Sequence, residues 1–190
     1  LAHQLQDSGA CAIVILENFA HTLAEVIEDT AVRHVVVASM GDLLGPWRGR
    51  WISFAVRHLA KMVPAYALPL SGGRLVLPFR RALALGARRR LNPPRVTPDT
   101  PAFLQYTGGT TGLSKGAVLT QRNIIAATLQ AEAWFGPALA RVGDTRRINS
   151  IAALPLYHIF ALTLCLLAIR QGSHLTLIPN PRDIPKFVQV

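Results

Sequence analysis

Residues 107–116, Thr-Gly-Gly-Thr-Thr-Gly-Leu-Ser-Lys-Gly, combine the residue types that bind phosphate. The segment holds four glycines, four hydroxyl side chains and one lysine. Glycine lets backbone N–H groups approach a phosphate closely, hydroxyls donate to its oxygens, and lysine adds a mobile positive charge. A hairpin turn also uses glycine, but it needs neither the lysine nor the hydroxyls. The segment therefore predicts a cradle for a polyphosphate.

Two common nucleotide-binding loops do not fit this segment. The P-loop of NTPases requires glycine directly before the lysine and a helix directly after it. Here Ser114 precedes Lys115, and Ala-Val-Leu-Thr follows Gly116. The dinucleotide-binding pattern G-x-G-x-x-G is also absent from the segment. Both differences disfavour a kinase, a GTPase or a dinucleotide-binding enzyme.

The elements that position this loop alternate between strand and helix. Predicted strands cover residues 11–16, 33–39, 102–106, 117–119, 147–154 and 174–178. Predicted helices cover residues 1–8, 21–29, 51–62, 79–85, 120–135 and 158–170, with Thr120 as an N-cap. Strand–helix–strand order favours parallel pairing, and the apolar run 11–16 predicts a strand buried on both faces. Residues 41–101 have a weaker pattern, which indicates an insertion or connecting region. The predicted fold class is α/β, with mostly parallel sheets flanked by helices.

The net charge of the chain and its longest apolar run limit the kinds of partner that it can bind. The formal net charge is +10, from 20 Lys and Arg against 10 Asp and Glu, which attracts phosphates, anionic membranes or nucleic acid. The basic stretch 80–95 lacks interleaved aromatics and any nucleic-acid reading motif, so we expect no nucleic-acid partner. Residues 159–169, the longest apolar run, are about half of what a spanning helix needs.

The cysteines and histidines point to no metal centre. Cys11 and Cys165 lie among apolar residues, as buried free thiols do, which predicts a reducing cytoplasm. The histidines have no ligand-like spacing with one another or with the cysteines, so we expect no protein-held metal.

The loop and its flank, YTGGTTGLSKGAVLTQRN, resemble the phosphate-binding motif of the adenylate-forming superfamily, which includes acyl-CoA synthetases, luciferases and peptide-synthetase adenylation domains. Residues 154–160, LPLYHIF, resemble the motif in which that superfamily places an aromatic or histidine beside the acyl substrate and adenylate. The stretches HQLQDSGACAIVILENFAHTL, LPFRRAL and NPRDIPKFV resemble bacterial long-chain fatty acid–CoA ligases. This resemblance spans nearly the whole chain.

The resemblance implies a fold as well as a reaction. Residues 1–190 are expected to form part of the large N-terminal AMP-binding (adenylation) domain, truncated at both ends. The superfamily's YG-x-T-E motif, its ribose-binding aspartate and its mobile C-terminal domain with the catalytic lysine are expected to be absent. This chain alone is therefore expected to be inactive.

The implied reaction is that of an ATP-dependent acid–thiol ligase, which uses ATP with Mg²⁺ to form an acyl-adenylate and then transfers the acyl group to coenzyme A. Its partners would be small molecules (fatty acid, ATP, coenzyme A), in the cytoplasm, with peripheral contact at the inner face of the membrane left open. The catalytic residues by this resemblance are Lys115 and His158, and the substrate-binding residues are Tyr157 and His158. The ATP-binding residues by this resemblance are Tyr106, Thr107, Gly108, Gly109, Thr110, Thr111, Gly112, Leu113, Ser114, Lys115 and Gly116.

Two other interpretations stay open from the sequence. One is another adenylate-forming enzyme that acts on an aryl acid or an amino acid, because most of the acid pocket is expected outside this chain. The other is a truncated, non-catalytic nucleotide-binding remnant. His158 also fits a histidine that caps the start of a helix.

Overall fold

The structure, a computed structural model, describes residues 1–108, 112–141, 143–144, 148–178 and 182. It divides into two compact units, Leu1–Pro94 and Arg95–Val190. The strands are β1 Ala12–Leu16, β2 His34–Ala38, β3 Leu75–Pro78, β4 Pro101–Thr107, β5 Lys115–Thr120, β6 Asn149–Ala152 and β7 His174–Leu177. The α-helices are α1 Ala2–Ser8, α2 Ala20–Ala24, α3 Pro46–Phe54, α4 Phe79–Gly86, α5 Gln121–Ala140 and α6 Ile159–Gln171.

The first unit is built on a parallel sheet of order β1-β2-β3. Apolar side chains of α1, α2 and the sheet form its core, in which Leu5, Leu23, Ile27, Val32 and Val35 are buried. Burial of such side chains is the dominant favourable contribution to folding. The parallel pairing of β1 with β2 confirms the strand–helix–strand prediction for this region.

A buried ion pair lies directly after β1. Glu17 is almost completely buried, and its Oε2 accepts a hydrogen bond from Arg57, whose side chain is half exposed. Hydrogen bonding to Glu17, together with the charge of that carboxylate, raises the pKa of Arg57. Arg57 therefore keeps its positive charge at every pH below the ordinary pKa of arginine. That charge compensates the buried carboxylate of Glu17.

Helix α3 begins earlier than its sequence pattern indicated. Pro46 starts it, at a position where proline is tolerated because its missing N–H has no intrahelical partner. After Phe54 the chain continues as a π-helical turn over Ala55–Leu59. The backbone of Gly49 lies directly against Gly41, so that a Cβ on either residue would overlap the carbonyl oxygen of the other.

The second unit contains two strand pairs. β4 and β5 form an antiparallel hairpin, whereas β6 and β7 are parallel and are connected through α6. Helix α5 packs against both the hairpin and α6, and Glu132 on α5 accepts a hydrogen bond from Arg170 Nε on α6 at 2.8 Å. Helices thus accompany each strand pair, and the α/β class is confirmed.

Several predicted boundaries were wrong, for identifiable reasons. Strand β3 lies in the region interpreted as a connection, because it is short and follows a Gly-Gly break. β1 is the edge strand of its sheet and is half exposed instead of buried on both faces, and Cys11 beside it is exposed. The helix predicted for 21–29 is broken after Ala24, and α5 continues past Phe135 through Pro137 to Ala140. Of the predicted strand 147–154, Arg147 lies outside the described residues, and β6 occupies Asn149–Ala152.

Within the described part of the chain, no helix combines the length and apolar character needed to cross a bilayer.

Candidate active site

The glycine-rich segment is the tip of the β4–β5 hairpin. In the antiparallel register Thr107 faces Lys115 and Tyr106 faces Gly116. The two ends of the tip are therefore held side by side by strand pairing, which leaves residues 108–114 to form the connection. The predicted order of strand, loop, strand and helix is confirmed, although the strands extend further into the glycine-rich segment than expected.

Part of the tip is described and part is not. Gly109, Thr110 and Thr111 lie outside the described residues. Gly108 and Leu113 are exposed, and Ser114 is half buried. Gly112 has φ +124°, a conformation that strains residues with a Cβ, so glycine is needed there for backbone reasons alone. The described residues of the tip thus lie at or near the surface.

Lys115 provides the positive charge at the base of the tip. It is the first residue of β5 and its side chain is exposed. Among the described residues it makes no ion pair with a carboxylate. No carboxylate of the described residues competes with an anion for its ammonium group, and a phosphate oxygen is a suitable partner.

Tyr106 and Gly116 pack together at the base of the hairpin. A Cβ at position 116 would lie 2.9 Å from Cζ of the Tyr106 ring and 3.2 Å from both of its Cε atoms. The ring therefore occupies the space that any side chain at position 116 would need. This contact gives Gly116 a steric role that is separate from phosphate binding, and it fixes the ring beside the tip.

The end of β5 is joined to helix α5 by a capping box. Thr120 Oγ1 accepts a hydrogen bond from the backbone N–H of Asn123 at 3.3 Å, and Asn123 Oδ1 accepts one from the Thr120 N–H at 2.9 Å. Two N–H groups at the helix end are satisfied in this way. The predicted N-cap at Thr120 is confirmed, and it fixes the direction in which the chain leaves the hairpin.

The second motif, residues 154–160, lies beside β4. Gln105 Nε2 on β4 donates a 2.6 Å hydrogen bond to the carbonyl oxygen of Tyr157. The Tyr157 side chain is 80% exposed, so its ring is available to a ligand. This hydrogen bond joins the strand before the glycine-rich segment to the second motif.

His158 caps helix α6. Its Nδ1 accepts a hydrogen bond from the backbone N–H of Phe160 at 3.3 Å, and its own carbonyl accepts one from Leu162. A histidine that accepts through Nδ1 carries its proton on Nε2, and that atom is the donor left for a substrate oxygen. The capping role left open from the sequence is present, and it orients the ring without using Nε2.

An apolar cavity of about 490 Å³ lies next to the second motif. Its walls are built where β6 and β7 end, the edge at which parallel sheets commonly bind ligands. The lining residues are Ala152, Leu154, Pro155, Leu156, Tyr157, Leu177 and Ile178. None of these side chains is charged, so the cavity suits an apolar group.

The described residues contain no cluster of three or more His, Cys, Asp and Glu side chains arranged to hold a metal ion.

Comparison with known proteins assigns the family. The family model of the AMP-binding enzymes matches residues 1–190, and the chain belongs to this family. It is 49% identical over its whole length to a long-chain-fatty-acid–CoA ligase of Escherichia coli O157:H7, and 47% identical over 188 residues, 98% of the chain, to that of Haemophilus influenzae. The chain spans 32% of the length of each of these relatives. Among solved structures, the A domain of a carboxylic acid reductase from Segniliparus rugosus has a TM-score of 0.57 and 19% identity, covering 98% of this chain and 28% of that one.

The described structure brings most of the predicted site residues to one hairpin and one adjoining segment. Tyr106, Lys115 and Gly116 lie on the hairpin, and Tyr157 and His158 lie on the segment that Gln105 contacts. Sequence reasoning missed Gln105, although a glutamine inside the apolar strand AFLQY was a usable signal. An amide at such a position needs a hydrogen-bonding partner, and here the partner belongs to the second motif.

Proposed function

We propose that this chain provides the pyrophosphate-binding part of a long-chain fatty acid–CoA ligase. The observation that supports the proposal is the hydrogen bond from Gln105 to the Tyr157 carbonyl, which joins residues 154–160 to strand β4. Identities of 47–49% over 98–100% of this chain to long-chain-fatty-acid–CoA ligases support the substrate class. The roles below belong to the full-length enzyme that contains these residues.

In the first half-reaction, a carboxylate oxygen of the fatty acid attacks the α-phosphorus of ATP. The bond from that phosphorus to the bridging oxygen breaks, and pyrophosphate leaves with the electron pair. Residues 107–116 hold the β- and γ-phosphates, with backbone N–H groups, hydroxyls and the Lys115 ammonium donating to their oxygens. Lys115 neutralises the negative charge that develops on the leaving pyrophosphate.

His158 and Tyr157 act on the acyl side. With Nδ1 engaged by the helix start, His158 Nε2–H donates to an oxygen of the reacting carboxylate or of the adenylate. The exposed Tyr157 ring packs against the first carbons of the acyl chain. The apolar cavity beside it receives the chain, because its lining has no charge to desolvate.

In the second half-reaction, the sulfur of coenzyme A attacks the acyl carbon, the bond to AMP breaks, and the thiol proton is released. No residue of this chain is assigned to that step. Mg²⁺ enters as the partner of ATP and offsets phosphate charge. The enzyme works in the cytoplasm and meets its lipid substrate by peripheral contact with the membrane.

The proposal is tested by Lys115→Ala in the full-length enzyme. ATP–pyrophosphate exchange with a fatty acid should fall by about 100-fold or more, the effect typical of losing one charge-stabilising donor. Thioester formation from supplied acyl-AMP should change little, because pyrophosphate has already left. Val118→Ala, which alters an exposed side chain of β5 outside the tip, is the matched control.

Equal losses in both half-reactions would contradict the role of Lys115. The same exchange assay with a panel of fatty, aryl and amino acids tests the substrate class. Exchange that depends on an aryl or amino acid, and not on a fatty acid, would replace the ligase named here with another adenylate-forming enzyme.

A further inference from the structure

Helix α3 presents an aromatic stripe to solvent, made of Trp47, Trp51 and Phe54. These residues are 81%, 64% and 48% exposed, and the rings of Trp51 and Phe54 are stacked with centroids 5.9 Å apart. Spacings of four and three residues place the three side chains within an arc of about 60° on the helix. An exposed run of large aromatic side chains on one helix face is unusual unless the face has a partner.

The stripe lies on the opposite face of α3 from its contact with Gly41. Gly49 is buried against Gly41, and it lies on the helix face opposite the stripe. Helix α3 thus contacts Gly41 through a face that has no side chain at position 49. None of the described residues covers its aromatic face. Beyond the helix end, Leu59 and Met62 are also more than half exposed.

Positive charge surrounds the stripe. Arg48 and Arg50 flank it on the helix, and neither forms an ion pair with a carboxylate of the described residues. Next to Phe54 is a cleft of about 360 Å³ whose lining includes Arg50 and Arg80, together with Asp42 and with Arg57, which is paired with Glu17. From residue 41 to residue 62 the only acidic residue is Asp42, and its carboxylate accepts a 2.7 Å hydrogen bond from the backbone N–H of Ser39.

We propose that α3 docks on an anionic phospholipid bilayer, with the aromatic stripe in the interface and the arginines at the lipid phosphates. Tryptophan concentrates at the level of lipid headgroups because its ring is apolar and its N–H is polar. Basic residues near an anionic bilayer each contribute about 1 kcal/mol, which is about fivefold in binding. An anionic bilayer offers both an apolar layer for the aromatic rings and phosphates for the arginines.

This inference rests on the proposed function in one respect, namely that a ligase for fatty acids gains by meeting its substrate at the bilayer. The docking of α3 and the proposed ligase function can be refuted separately. Vesicle binding is measured without ATP, fatty acid or coenzyme A, whereas the ligase assay is measured with a soluble short acyl substrate and no vesicles.

The test is co-sedimentation of the full-length protein with two kinds of vesicle, one of phosphatidylcholine alone and one containing phosphatidylglycerol as well. We expect binding to the anionic vesicles that weakens with added salt, and at least tenfold weaker binding to the neutral ones. The double variant Trp47→Ala/Trp51→Ala should lose at least about tenfold in binding, because two large apolar areas leave the interface. Arg50→Ala should lose about fivefold.

Trp134→Ala is the matched control, because Trp134 is 82% exposed and lies on α5 in the other unit. It should bind vesicles like the unmodified protein. Three outcomes would overturn the proposal: equal binding to both kinds of vesicle, equal losses for the Trp134 and Trp47/Trp51 variants, or unchanged vesicle binding by the double variant. A changed oligomeric state or a lower melting temperature in the double variant, with vesicle binding intact, would identify a protein partner or the rest of the enzyme as the cover.

Discussion

Replacing Gly116 by alanine should damage adenylation while leaving the fold intact. The added Cβ would lie 2.9 Å from Cζ of Tyr106, so the ring must retreat by about 0.5 Å to reach an ordinary contact of 3.4 Å. Alanine is acceptable to the backbone, since Gly116 lies in a strand without a positive φ, and it removes about 0.5–1 kcal/mol of glycine's entropic cost. That gain roughly offsets the crowding, so stability should change by no more than about 1 kcal/mol.

The catalytic effect should be much larger than the effect on stability. A misplacement of 1 Å at a reacting site can reduce the rate about 100-fold, so a shift of half that size at the base of the phosphate tip should reduce it about tenfold. ATP–pyrophosphate exchange in the full-length enzyme measures this loss, and a thermal melt measures stability. Gly136→Ala is the matched control, because a Cβ there meets nothing within 4 Å. Exchange within twofold of the unmodified enzyme, or a melting temperature lowered by more than about 5 °C, would refute the reasoning.

Three further predictions concern contacts that hold the two units in shape. Arg57→Ala should destabilise the protein by about 2–3 kcal/mol, more than Glu17→Leu does. Only the Arg57 variant leaves a buried carboxylate without its partner. Urea or thermal melts that show the reverse order would contradict this. Gln105→Leu removes one hydrogen bond to Tyr157. Pyrophosphate exchange should fall about tenfold, and stability by no more than about 1.5 kcal/mol. Full exchange activity would show that this hydrogen bond is dispensable. Thr120→Ala should weaken the start of α5 by about 1 kcal/mol, seen as about fivefold faster hydrogen exchange in its first turn; unchanged protection there would rule out a stabilising cap.

The chemistry of the tip could be predicted from sequence because its residue types are specific. Glycine, hydroxyl and lysine residues together have few structural uses. The motif YTGGTTG is also followed by a second motif, at residues 154–160, in the order that the superfamily has. The position of that second motif could not be predicted in the same way. Gln105 contacts it from 52 residues earlier in the chain, and no local pattern encodes such a pairing.

The fold was predictable where the apolar pattern was long and continuous. The Val-rich strand β2 and the mostly apolar helix α6 lie within a residue of their expected bounds. Short elements with mixed patterns were harder. β3 became a strand because a parallel neighbour supplies its hydrogen bonds, and α2 ends early although the apolar spacing continues. In both cases tertiary contacts outweighed weak local preference.

The direction of the aromatic stripe is controlled by two residues that carry no side chain at all. Since the backbones at Gly41 and Gly49 touch, a single methyl group at either position would lift α3 off its support and tilt every tryptophan on it. On the proposed docking of α3, substitutions at these glycines should therefore shift the full-length protein from vesicles to solution, although neither residue belongs to the stripe. The glycine-rich tip lies in the other unit, so such substitutions should leave it unchanged.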